Sequence, residues 1–442
     1  MATAAGSRFR TAAQTARREP VAKARDTFFE GEFEPHTRLK HLIWDRYLKA
    51  WAQKLLGWGR AGQRLWIVDA FAGSGRDEAG NPGSPLIAAT IARDIVAARR
   101  TAPGGPAPVV HVVAIEKDPK RFEELRKNLG EFTSGSPQIA HIRQGTLADY
   151  INRMMQFIGS EPALFFLDPF GVDGMQADLL PKILSGPQNE LFALFSDTGA
   201  ARLHAVLDAE DVSADEAVAR GMTGPSLFPD FDAEDEAKVR AEAERRATAL
   251  GYTRPAAKRI LDEAFGGESW LEAIEAVAPE ERPLKFVRLY MQLLLRAGAK
   301  FGIAIPVRDK KNRRVYHLVY ASKSAQGFRT MKESITTALS ASDLPSHVRE
   351  EMVLDLNVDV ESTITHIAQA FEGRTVPWTD SKNKHAETVR NYALEHTGVF
   401  PQQCDEIRDA LAKRYKTGGT ARNPTLTFPL RAILEKPPDG GA

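Results

Sequence analysis

One cysteine, Cys404, among 442 residues has no second thiol to pair with inside the chain, which excludes an intramolecular disulfide and a thiolate metal cluster. That usage fits a reducing compartment, and a cytoplasmic location is expected. No apolar run reaches about 18 residues, so no membrane-spanning helix and no membrane partner are expected. The amino end also lacks the apolar core of a secretory signal. Net charge is nearly absent at +1, yet it conceals an asymmetry: Arg8, Arg10, Arg17, Arg18, Lys23 and Arg25 face only Glu19 in the first 25 residues. This stretch is expected to be a disordered basic tail; its Ala and Thr content also suits an organelle transit peptide, and a solvated arm is the plainer reading. What remains is 43% hydrophobic and 26% charged, enough to bury a sizeable core in more than one domain.

The most informative stretch is IVDAFAGSG, Ile67 to Gly75. Leu65 to Val68 form a continuous apolar run, as in a parallel strand covered on both faces. Asp69 closes it. Gly73 and Gly75 then allow a sharp turn and a close approach of backbone to ligand, at the strand end where open α/β sheets bind. Asp-x-Phe-x-Gly-x-Gly resembles the first motif of class I S-adenosylmethionine-dependent methyltransferases more than the GxGxxG of nicotinamide enzymes.

Before it, HTRLKHLIWDRYLKAWAQKLL repeats Leu39, Ile43, Tyr47, Trp51 and Leu55 at helical spacing. His36 and Lys40, four apart, share a side and could face a ligand together or simply solvent. His36 and His41 make a poor metal pair, and no metal site is expected. After it, Ser84 and Pro85 read as a helix start. VVHVVAIE is a second buried strand ended by Glu116, an acid placed to accept from a ribose hydroxyl pair. IAHIRQGTLADY reads as a third strand running into a loop, with Gly145 and Thr146 near an adenine. ALFFLDPFG is the fourth: Pro169 cannot continue a central strand, so Asp168 falls on the same rim as Asp69 and Glu116. A Pro turn with Asp as turn former explains Asp168 alone, whereas three acid-tipped strands favour one shared site.

A fifth strand is expected at Glu190 to Phe195, then a charged, Ala-rich helical insertion at about 201–283, serving as lid, substrate platform or spacer. FGIAIPV and VYHLVYAS read as an antiparallel closing pair. Farther on, three short helices and a Gly-rich basic loop before TLTFPL suit a winged helix. Lys384, Arg390, Lys413, Arg414, Lys416 and Arg422 could meet phosphates, although Glu387, Glu395, Asp405 and Glu406 dilute that field and a protein-binding module fits equally.

Taken in order, FFEGEFEPHTRLKH, VDAFAGSGR with GSPLIA, IEKDP, FFLDPFG, YMQLLLRAGAKF and VYHLVYASKSAQGFRTMKE, within residues 26–335, resemble the three-Cys-motif partner protein family, TcmP. The resemblance implies an α/β fold with a seven-stranded Rossmann-like class I methyltransferase sheet, parallel with an antiparallel closing strand. After the tail at 1–25 and a helical arm at 26–64, it implies a methyltransferase-like domain at 65–340 and a GMT-like winged-helix domain at 341–442. A separate protein bearing three cysteines is the implied partner, with DNA or RNA as a further one. S-adenosylmethionine would be held by Asp69, Phe71, Gly73, Gly75, Glu116, Gly145 and Thr146, with Asp168 and Phe170 at the methyl acceptor, a nucleic acid or nucleobase. In amino methyltransferases carrying Asp-Pro-Pro-aromatic, the acid and a proline carbonyl accept from the target amine. Here Asp168-Pro169-Phe170-Gly171 lacks the second proline, which leaves amino-group chemistry in question. Cytosine carbon methylation by a cysteine nucleophile is expected still less, since Cys404 lies far downstream in a different domain. The competing readings are a non-catalytic, cofactor-binding scaffold for the three-cysteine protein and a DNA-tethering module.

Overall fold

The computed structural model describes residues 35–57, 62–100, 108–135, 137–169, 171–209, 254–309, 314–340, 352–354, 360–380, 383, 386–420 and 423–428. The basic tail and the start of the arm lie outside the described residues.

Eight strands form the main sheet: β1 (Arg64–Asp69), β2 (Val109–Glu116), β3 (Ala140–Gln144), β4 (Ala163–Leu167), β5 (Asn189–Phe195), β6 (Phe301–Asp309), β7 (Arg314–Ser322) and β8 (Met352–Leu354). Their order is β3-β2-β1-β4-β5-β7-β6-β8. β1 pairs in parallel with β2 and β4, as do β2 with β3 and β4 with β5; β7 runs antiparallel between β5 and β6. The architecture is therefore α/β with a mostly parallel sheet, and β6 and β7 are the antiparallel pair that FGIAIPV and VYHLVYAS suggest. β8 extends the sheet past residue 340, because Met352 to Leu354 pair with Asp309 to Val307 of β6.

Side chains alternate between two cores, as strand geometry requires. Ile67, Phe166, Phe192, Leu318 and Tyr320 face one layer; Val68, Phe165, Leu191, Ala193 and Val319 face the other. The first layer holds α1 (Pro35–Gly57), α2 (Ser84–Arg100) and, later in the chain, the helix Ala325–Leu339. The arm is thus a core layer of the sheet. Its Trp44 ring stacks on Phe166 with centroids 4.5 Å apart, and Trp44 Nε1 donates to the Ser84 carbonyl at 3.3 Å. One turn on, the Tyr47 hydroxyl donates to Glu190 and lies 2.9 Å from that of Tyr320. Each aromatic so buried stabilises the fold by about 1.5–3 kcal/mol.

Helix α3 (Pro119–Asn128) follows β2 and α4 (Leu147–Ile158) follows β3. The second layer continues with α5 (Asp197–Ala209), α6 (Arg254–Phe265), α7 (Ser269–Glu275) and α8 (Arg282–Arg296). The insertion expected at about 201–283 is narrower than its composition suggests. Leu203, Ile260, Leu261, Phe265 and Trp270 are buried in the core with Phe286, so residues 201–209 and 254–283 are packed structure. Only 210–253 stay outside the described residues.

Beyond α9 (Ala325–Leu339), a second unit has its own core of Ile364, Ile367, Phe371, Val376, Trp378, Leu394, Ile407, Leu411 and Leu426. It contains α10 (Val360–Ala370), β9 (Thr375–Pro377), α11 (Val389–His396), α12 (Cys404–Arg414), β10 (Lys416–Thr420) and β11 (Asn423–Thr427). The Gly-rich stretch expected as a loop is a strand, β10, hairpinned to β11, which also pairs with β9. Arg329 and Lys332 of α9 tie the unit down: Arg329 donates to Asn391 and Glu395, and Lys332 to the Thr397 carbonyl at 2.8 Å. Among the described residues no helix is long and apolar enough to cross a membrane.

Candidate functional site

The order of strand addition reverses between β1 and β4, since β2 and β3 lie on one side of β1 and β4 and β5 on the other. Open α/β sheets bind ligands in the crevice outside the strand ends at such a point. Asp69 ends β1 and Glu116 ends β2, while Asp168 follows the last residue of β4. The three acids read from sequence therefore meet at the carboxyl ends of three adjacent strands.

The loop after β1 is pinned on both sides. Ala70 N–H donates to the Phe166 carbonyl at 3.0 Å and Ala72 N–H to that of Ile115 at 2.9 Å. Gly73 (φ 60°) and Gly75 (φ 84°) take the left-handed conformation a tight turn requires. A Cβ on Gly83 would come within 3.1 Å of the Gly75 carbonyl oxygen, so the loop closes directly on the start of α2. The Gly73 N–H points to Glu116, donating to Oε2 at 2.9 Å, while Asp118 N–H donates to Oε1 at 2.7 Å. Glu116 is thus first a brace for the loop. Each carboxylate oxygen keeps a second lone pair for a ligand. Phe71 is half-buried in the same loop, and a Cβ on Gly174 would fall 2.9 Å from its ring.

Asp69 is fully buried; its Oδ1 accepts from the Phe71 N–H at 3.3 Å, and Oδ2 is buried with no hydrogen bond. Burial pushes its carboxyl up to about 7; Ser84 and the Phe71 amide draw it back, Asp168 adds to the rise and Lys40 opposes it. Asp168 is paired with Lys40 of α1, whose side chain is 8% exposed. The sequence shows Lys40 on the side of α1 that could meet a ligand, but its partner 128 residues away is visible only in the fold.

Two expected residues turn out to be bound up in local structure. Gly145 (φ 136°) donates to the Glu116 carbonyl, and a Cβ there would stand 2.8 Å from Asp149 Oδ2. Thr146 caps α4, its N–H and hydroxyl both donating to Asp149 in a capping box. The loop expected from GTLADY is therefore the first turn of a helix. Phe170 lies outside the described residues.

A second group sits where β5 and β7 meet. Asp197 is fully buried, with His317 Nδ1 and Arg314 Nε each 3.5 Å from its oxygens. Burial pushes this carboxyl up, but His317 and Arg314 outweigh it and hold it below the usual range. Sequence reading missed this group because Asp197 lies more than one hundred residues from Arg314 and His317 and the three carry no motif. A concavity of about 630 Å³ near α6 is lined by Gln176, Asp178, Lys258, Arg259 and Asp262, and by none of the strand-end acids. Among the described residues no group of three or more His, Cys, Asp or Glu side chains could hold a metal ion.

Fold and rim together define a class: a doubly wound α/β domain with acid-tipped strands around a glycine turn at the reversal point. Comparison narrows this no further, as no known protein family and no curated protein matches the sequence. Among solved structures the chain is similar to a possible exported protein from Bordetella parapertussis, at 12% identity over 65% of this chain and 67% of that one, TM-score 0.27. It is also similar to PKMT2 from Rickettsia typhi, at 8% identity over 86% and 92%, TM-score 0.25. Likenesses this slight carry no argument about function.

Proposed function

We propose that this protein binds S-adenosylmethionine at the Asp69–Glu116 rim and is a methyltransferase of nucleic acid or a nucleobase. The observation that carries the reading is the buried Asp69 Oδ2, left without a hydrogen bond at the reversal point beside a positive-φ glycine turn. A buried acceptor left unmet is costly, and a ligand ammonium would satisfy it. The residues fit the cofactor: Asp69 to accept from the amino group, the spare lone pairs of Glu116 to accept from the ribose, Phe71 and the loop glycines for packing. Gly145 and Thr146 would contribute at most their backbone edge. When bound, the cofactor supplies the reactive sulfonium methyl, and the chain supplies position and electrostatics.

A scaffold reading, in which the chain binds the cofactor for a three-cysteine partner without transferring its methyl, is favoured by one observation. Asp168, the acid placed to receive an acceptor amine, is already paired with Lys40. A DNA-tethering role for the second unit finds less support. On α12, Arg408 is taken by Asp405 and Asp409, and Arg414 by Glu361, so much of its positive charge is neutralised. The test is mass spectrometry of the small molecule that copurifies, followed by labelled-methyl transfer to DNA, RNA and proteins encoded nearby. The methyl donor or its demethylated product supports the reading; a nicotinamide or a nucleoside triphosphate in its place overturns it. Tight cofactor binding with no transfer to any acceptor selects the scaffold.

A further inference from the structure

We infer that Lys40 is a cofactor ligand, its ammonium taking the α-carboxylate of the cofactor's amino-acid end while Asp69 takes the α-ammonium. The inference rests on the S-adenosylmethionine reading above and extends it to a residue of α1, outside the sheet and its loops.

An unmet acceptor and a donor only partly used lie together. Asp69 Oδ2 is a buried acceptor with no donor. Lys40 has three N–H donors, and among the described residues its one hydrogen-bond partner is Asp168, although its side chain is 8% exposed. Asp69 pairs across β1 and β4 with Phe166, two residues before Asp168, so the Lys40–Asp168 pair stands at the strand end next to Asp69. A ligand satisfying both groups at once carries a cation and an anion, as an α-amino acid does. A simple amine would answer Asp69 alone, and a phosphate Lys40 alone. The ion pair leaves Lys40 two donors for an incoming oxygen, and Asp168 screens its charge without consuming it.

Helix α1 also holds Lys40 in place before any ligand arrives. Trp44, one turn on, is stacked against Phe166, and Tyr47 is bonded to Glu190. A donor fixed in advance loses little freedom on binding, which makes its contact count towards affinity.

The test compares S-adenosylhomocysteine with 5′-methylthioadenosine, which shares the adenosine and sulfur but lacks the amino-acid end. Calorimetry is run on wild type, Lys40→Met and the double variant Lys40→Met/Asp168→Asn, with thermal melting to verify folding. The double variant removes the ion pair as a unit, so no buried charge is stranded. We expect the preference of wild type for the homocysteine ligand to fall about tenfold to a hundredfold in the double variant, with methylthioadenosine affinity unchanged. An unchanged preference in the folded double variant overturns the inference and leaves the cofactor reading intact. Equal weakening of both ligands also overturns it, by showing that Lys40 acts only on the fold. If neither ligand binds wild type, the cofactor reading fails and this inference with it.

Discussion

Tyr47 donates its hydroxyl to the buried carboxylate of Glu190, so α1 and β5 share one titratable group. Burial pushes Glu190 up to about 7, against the opposing hydrogen bonds of Tyr47, Tyr320 and Ser322. Below about pH 4.5 the group is protonated in both folded and unfolded chains. Between there and about 7 the folded chain holds a proton that the unfolded chain has lost, so this contribution to stability declines as pH rises. Glu190→Gln should gain on wild type by up to about 3 kcal/mol between roughly pH 4.5 and 8. Urea denaturation of both proteins across that range checks it; parallel curves would show that Glu190 titrates normally. The difference between the two proteins is the quantity to read, since Asp69 adds a slope of the same sign to both.

The stacking of Trp44 on Phe166 and Phe192 makes a second expectation. Trp44→Ala should cost about 3–5 kcal/mol, the range for emptying an aromatic site in a packed core. A denaturation midpoint close to wild type would mean that α1 is no structural layer.

Glu116→Gln tests the brace beneath the glycine turn. An amide keeps one acceptor and sets a donor against the other backbone N–H, at Gly73 or Asp118. Losing that bond should cost about 1–3 kcal/mol. Hydrogen exchange should quicken at one of those two amides, and unchanged protection at both would count against the brace.

Gly145→Ala should destabilise by about 1–3 kcal/mol, since φ is 136° and the new methyl meets Asp149 at 2.8 Å. Gly130→Ala is the control: nothing lies within 4 Å of its would-be Cβ, and it should be neutral or slightly stabilising. Equal melting temperatures for the two variants would refute the steric account.

How far the sequence reaches can be judged from these same residues. Asp69, Glu116 and Asp168 are legible because each closes a run of buried apolar residues, and a strand with no polar face can change character only at its end. Their meeting needs just the doubly wound order. Thr146 was also readable, since Thr-x-x-Asp ahead of an apolar helix is a capping signature; the glycine before it suggested a ligand loop instead. The helices within 254–283 hid their buried Phe265 and Trp270 behind charges that sit on the outer face. Lys40 with Asp168, and Asp197 with His317, are contacts between distant elements with no local periodicity to announce them.

The short strand β8 carries a consequence for any shortened form of this chain. Its three residues pair with Val307 to Asp309, covering part of the outer edge of β6. A chain ended near residue 340 would bare that row of N–H and C=O groups together with the α9 surface from which Arg329 and Lys332 now reach. An uncovered edge is a template for another copy's strand. Such a protein would be prone to pair with its own copies along β6, so β8 guards the sheet against its own kind.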